Sequence, residues 1–87
     1  MVTYNLSLGV PESLIFFSTD PCDVTLLVRN FGGALRILSD RGERNDVTAP
    51  GTFSLVFTGT QRLVCRRLRG TPFGEIEFLE VVNLGSL

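Results

Sequence analysis

Residues 49–82, APGTFSLVFTGTQRLVCRRLRGTPFGEIEFLEVV, decide the fold class of this 87-residue chain. They hold three strand-like runs parted by two turn signals. In 52–58, Phe53, Leu55 and Phe57 alternate with Thr52, Ser54, Val56 and Thr58. Side chains along a strand point to opposite faces in turn, so this run presents one apolar face to a core. Gly59-Thr60 ends it, 62–68 forms the second run, and Gly70-Thr71-Pro72-Phe73-Gly74 turns into the third, 75–82. Pro72 has no N–H to give a sheet ladder and belongs in the loop. With Gly70 to Phe73 as that loop, the last two runs form a hairpin. Arg66 then faces Glu77, Val64 faces Leu79 and Arg62 faces Val81, while Cys65 faces Phe78 and Arg67 faces Ile76. Opposite charges across such a pair contribute roughly 0.2–1 kcal/mol.

Upstream the same alternation recurs. In 2–8, Val2, Tyr4, Leu6 and Leu8 share one face and Thr3, Asn5 and Ser7 the other. Residues 13–18 are apolar on both phases through Leu14, Ile15, Phe16 and Phe17, which predicts cover on both sides. In 23–29, Val24, Leu26 and Val28 alternate with Thr25, Leu27 and Arg29, and Asn30-Phe31-Gly32-Gly33 is a turn. A fourth strand, 34–39, carries Leu35 and Ile37 on one phase, and DRGERND at 40–46 is the longest polar stretch. About seven strands spaced by roughly ten residues mark an all-β fold, an antiparallel β-sandwich or jelly roll of about seven or eight short strands. No stretch has the apolar period of a substantial helix. The expectation is one domain, 1–87, with 83–87 as a short tail.

A chain of this size has a marginal core and is commonly reinforced by disulfides, a metal or association. There is no His and there are two Cys, too few for a four-ligand zinc site. Cys22 and Cys65 read as reduced core thiols. Association remains. The chain is 44% hydrophobic and 20% charged, against roughly 25% charged in an average domain. A small domain has proportionally more surface and should be more polar than average, so an apolar surplus points to surface covered by a partner. The net charge is −1, and all eight basic residues are Arg, which suits interfaces better than Lys. No apolar run reaches the length of a signal peptide or a membrane span, which predicts a protein made in the cytoplasm that leaves it only within something larger.

Without His there is no ordinary triad base, so enzymatic activity is not expected. Asp40, Glu43, Asn45 and Asp46 could offer oxygens to calcium, but their spacing is not that of an EF-hand, and a solvated loop is the better reading. Asp20 and Asp23 flank Pro21 as turn residues. Arg62, Arg66, Arg67 and Arg69 form a basic strip that Glu75, Glu77 and Glu80 on the partner run offset, which disfavours nucleic acid. Neither a cofactor nor a metal is expected. Leu27, Leu38, Val56, Val64, Leu79 and Val81 are apolar on outward phases. The candidate interface is therefore Arg62, Arg66, Arg67 and Arg69 with Val64, Leu79 and Val81.

Residues 24–82 also resemble the small β-sandwich virion proteins of tailed bacteriophages. The similarity lies in the order of features. A strand ends in Phe31-Gly32-Gly33-Ala34 and is followed by Ile37-Leu38-Ser39-Asp40-Arg41-Gly42. Then come Asp46-Val47-Thr48-Ala49-Pro50-Gly51-Thr52-Phe53, a turn, Leu63-Val64-Cys65-Arg66, another turn and a closing strand. Such proteins often carry Trp, which this chain lacks, and its arginine-rich sixth strand departs from their pattern. The resemblance implies a non-enzymatic structural protein on the capsid surface. The first expectation is a decoration (cement) protein, a homotrimer that bridges and stabilises major capsid protein subunits. A head-fibre, tail or carbohydrate-binding module is the next, and a single-strand-binding barrel the third.

Overall fold

The structure, a computed structural model, describes residues 2–7 and 11–85, with side chains from residue 11 onward. Four elements are present: β1 (Val2–Ser7), β2 (Glu12–Ser39), β3 (Arg44–Val47) and β4 (Gly51–Asn83). Every pairing is antiparallel, in the order β1-β4-β2-β3. Among the described residues there is no helix, so none is long and apolar enough to cross a membrane.

The all-β, antiparallel expectation holds, but the strands are not all short. β2 runs for 28 residues and β4 for 33. Cross-strand partners are lacking at the turn signals 18–21 and 70–72, so each long element is divided into successive tracts. Residues 12–17 pair with 62–66. Residues 22–30 lie between two stretches of β4, 51–60 on one side and 74–83 on the other. Residues 34–39 pair with 63–69 on one edge and with β3 on the other, where Leu35 faces Val47 and Leu38 faces Arg44. β1 adds along 73–78.

The expected hairpin between 62–68 and 75–82 is not formed. Residues 62–69 go to 12–17 and 34–39, while 74–83 goes to 22–30 and β1. Arg66 therefore faces Glu12 and Arg36, not Glu77. The cause is packing. Residues 22–30 need a strand on each edge to bury Val24, Leu26 and Val28, all fully buried, and 74–83 supplies one of them. The crossing at 70–74 is tight. At Gly74 (φ 149°) a Cβ would run into the carbonyl oxygen of Arg29, so only glycine lets the two backbones meet.

The core is Val24, Leu26, Val28, Leu35, Ile37, Val47, Leu55, Phe57, Leu63, Cys65 and Ile76 with Cys22 at its edge, all buried. The apolar phases read from 23–29, 34–39 and 52–58 are therefore the core phases, although Phe53 is half-buried and packs on the core from its margin. The two-sided cover expected of 13–18 is absent. Ile15 and Phe16 pack against the core, while Leu14 (53%) and Phe17 (61%) are exposed. Register places Val2 opposite Phe78 and Tyr4 opposite Ile76, as the alternation of β1 implies; Leu8 lies outside the described residues.

Cys22 and Cys65 are both free and buried. Burial pushes the Cys65 thiol up to about 12, so it is inert near neutrality. A thiol reagent at mildly alkaline pH should find almost nothing in the native protein and both thiols once denaturant is added without reductant. A count of zero in denaturant would mean a disulfide and contradict the structure.

Candidate interaction surface

Cross-strand neighbours share a face, so register turns the candidate residues into rows. One row crosses 12–17, 62–66, 34–39 and β3 as Glu12, Arg66, Arg36, Asp46. The next is Leu14, Val64, Leu38, Arg44. A third pairs Phe17 with Arg62, beside which the Asp40 N–H donates to the Arg62 carbonyl at 3.2 Å. The middle row is apolar except for Arg44 at its β3 end, and the rows on either side of it carry charge.

Arg36 and Arg66 stand directly opposite each other, an arrangement that repels. An acid at each end of the row offsets it. Arg66 Nη2 donates to Glu12 Oε2 at 3.2 Å. Arg36 grips Asp46 with two bonds, Nε to Oδ1 at 2.7 Å and Nη2 to Oδ2 at 3.0 Å, the fork geometry that suits a carboxylate. That grip, helped by the charge of Arg44, holds Asp46 below the usual carboxylate value and raises Arg36. Between the rows lies a depression of about 240 Å³ bounded by Glu12, Leu38, Val64, Arg62 and Arg66. Beside it is another of about 310 Å³, bounded by Phe17, Thr19, Asp40, Gln61 and Arg62.

Of the residues singled out from sequence, Arg62, Val64 and Arg66 thus share this face. The others lie elsewhere. Arg67 and Arg69 sit opposite Leu35 and Ala34, and Arg69 Nη2 donates to the Thr48 carbonyl at 3.0 Å. Val81 faces Val24 and lines an apolar groove with Ile15, Phe16, Phe17 and Phe78, floored by the stacked rings of Phe16 and Phe78. Leu79 is exposed where the register shifts between Glu80 and Phe78. Leu14, Phe17, Arg36 and Arg44 complete the first face but were not singled out. Their signal was i, i+2 spacing, as in Glu12 with Leu14 and Arg36 with Leu38, which acquires meaning only when 62–66 is known to run between them.

A second face is built by 22–30 with its two neighbours. Glu77 faces Leu27, Glu75 faces Arg29, Glu80 faces Thr25, which also faces Val56, and Val82 faces Asp23. Arg29 pairs with Glu77 at 3.1 Å and approaches Glu75 at 3.9 Å. Among the described residues Glu80 makes no ion pair, and neither do Arg44 and Arg62 on the first face.

The carboxylates of 40–46 diverge into separate protein contacts. Asp40 Oδ1 accepts from Thr60 Oγ1 (2.8 Å) and from the N–H groups of Gln61 (2.8 Å) and Arg62 (3.1 Å). Glu43 accepts from the Thr58 N–H at 3.1 Å. Among the described residues no three His, Cys, Asp or Glu converge as a metal would require. Desolvation pulls the Asp40 pKa upward, and the bonds from Thr60, Gln61 and Arg62 together outweigh it, leaving the group below 3.8. A carboxylate with a lowered folded pKa stabilises the fold fully above its unfolded value, and that stability is lost as pH falls through the folded one. The melting temperature should therefore hold between about pH 5 and 8 and drop below about pH 4. Asp40→Asn keeps an acceptor but removes the titration, so its melting temperature should fall less steeply in acid; an unchanged slope would contradict the role given to Asp40.

No protein-family model, no curated protein and no solved structure matches the chain.

Proposed function

We propose that the chain is an eight-stranded jelly roll. We further propose that it is a non-enzymatic structural protein of a bacteriophage virion, a capsid decoration protein that associates with itself and bridges major capsid protein subunits. The fold reading rests on the tracts. β1, 74–83, 22–30 and 51–60 pair in that order, and 12–17, 62–69, 34–39 and β3 pair in that order. Numbered along the chain these are strands 1-8-3-6 and 2-7-4-5, the two sheets of a double Greek key. The core residues lie on the side of each set that the other would cover.

The observation that carries the functional reading is the face of Arg36, Arg62 and Arg66 around Leu14, Val64 and Leu38. Leu14 and Phe17 are more than half exposed there, although the chain has little core to spare. Aromatic, aliphatic and Arg side chains together are the composition of an interface centre. The family resemblance supplies the setting, a shell whose junctions gain strength from many modest contacts held at high effective concentration. The free protein should scatter light as a trimer. Added to shells stripped of it, it should raise their disruption temperature, because a ligand that binds only the intact state stabilises that state. A strict monomer with no affinity for shells would overturn the proposal. The depression around Phe17, Asp40, Gln61 and Arg62 favours one second reading, a glycan-binding head-fibre or tail module, since an exposed ring beside an acid, an amide and a guanidinium suits a sugar. Saturable binding of a soluble glycan, lost in Phe17→Ala, would establish it.

A further inference from the structure

The two exposed faces differ in charge. The face with Arg36 and Arg66 at its centre carries four arginines, Arg36, Arg44, Arg62 and Arg66, against three acids, Glu12, Asp46 and Asp40, the last lining both depressions beside Arg62. The face of 22–30 and its neighbours carries Asp23, Glu75, Glu77 and Glu80 against Arg29. A net charge of −1 is thus divided into a basic side and an acidic side. Both sides also expose apolar residues, Leu14 and Phe17 on the first and Val56 and Val82 on the second. From this we infer that the basic face of one copy is covered by the acidic face of a second copy.

The occupant follows from elimination by charge. Basic face on basic face would set Arg62 and Arg44 of both copies against each other in a desolvated layer, a repulsion that wrong pairings use to exclude themselves. Acid on acid fails likewise through Glu80. Basic on acidic offsets the positive surplus with a larger negative one and buries the apolar residues of each. Such a contact joins two different patches, so every copy keeps one face of each kind free for the next. The assembly then closes into a ring or grows as a filament. This deepens the self-association proposed above and rests on it; a closed trimer requires a contact of this two-patch kind.

The test uses charge reversal at two exposed side chains that make no ion pair among the described residues. Arg62 engages the fold through its backbone N–H and carbonyl, which substitution leaves in place. Arg62→Glu and Glu80→Arg should each melt like the parent and each weaken association at least about tenfold by light scattering, because each sets like charges against each other across the contact. The double variant should regain most of the loss, and association of the parent should fall as salt rises. Should either reversal fail to fold, Arg62→Ala and Glu80→Ala are used in its place, with smaller losses expected. A parent that assembles but ignores both substitutions, or responds to Arg62→Glu alone, overturns this interface and leaves self-association standing. A parent that stays monomeric overturns both.

Discussion

Phe57→Ala is expected to lower stability by about 3–5 kcal/mol, the cost of removing a fully buried ring and leaving its cavity. Phe57 is among the largest fully buried side chains, and it stands opposite Val24 where 22–30 meets 51–60. A domain of this size has about 5–15 kcal/mol in all, and its length places it toward the low end. At about 4–8 °C per kcal/mol, the melting temperature should drop by roughly 12–40 °C, and part of the protein should be unfolded at ambient temperature. Circular dichroism melting checks this directly. Phe53→Ala is the matched control. Phe53 lies on the same phase but is only half-buried, so its loss should be clearly smaller. Equal losses would mean that the buried end of the strand is misassigned.

Gly74→Ala should be as damaging by a different route. A methyl group there would occupy the position of the Arg29 carbonyl oxygen and sit 3.3 Å from the Asn30 Cα, and the φ of 149° is one that side chains avoid. The obstacle is backbone, so no rotamer relieves it. Moving the backbone would open the pairing of Asn30 with Gly74. It would also disturb the buried Asn30 amide, which donates to the Gly33 and Ala49 carbonyls at 3.1 Å each. Strain and overpacking of this kind together cost at least about 3 kcal/mol. Gly42→Ala is the contrast. Its φ is 87°, but nothing lies within 4 Å of the added carbon, so only the left-handed backbone, about 1–2 kcal/mol, is charged against it. If the two alanine variants melt alike, the close approach at Gly74 is not what the structure describes.

The alternations at 23–29, 34–39 and 52–58 reported the core phase correctly because burial of one face leaves a period-two trace in any strand. Pairing leaves no such trace. The Arg66–Glu77 register was the shortest route to an opposite-charge match, yet Arg66 found Glu12, 54 residues away, and Glu77 found Arg29. Local closure lost because a two-stranded hairpin would leave 22–30 with a bare edge. The same blindness affected the candidate interface. Arg62, Val64 and Arg66 were recognisable from their own strand, but Arg36 and Leu14 join them only through partners distant in sequence. Residues 13–18 misled for a different reason. Four consecutive apolar residues read as two covered sides, whereas Leu14 and Phe17 face outward on the basic face.

The order of pairing also governs what a ribosome can build. Once residues 2–47 have emerged, the only ladder available to them among the described residues is β2 with β3; every other described partner of β2 lies in 51–83, and β1 waits for 73–78. During the seconds that synthesis of β4 takes, at about 5–20 residues per second, Ile15, Phe16, Val24, Leu26 and Val28 have nothing to cover them. Nascent chains should therefore occupy chaperones and aggregate when translation is crowded, and slower synthesis at low temperature should not help, because delay prolongs the exposed state. There is a compensating benefit. The basic face is woven from 12–17, 34–39, β3 and 62–66 and the acidic face needs 74–83, so the association proposed above could begin only once each copy's last strand has been made.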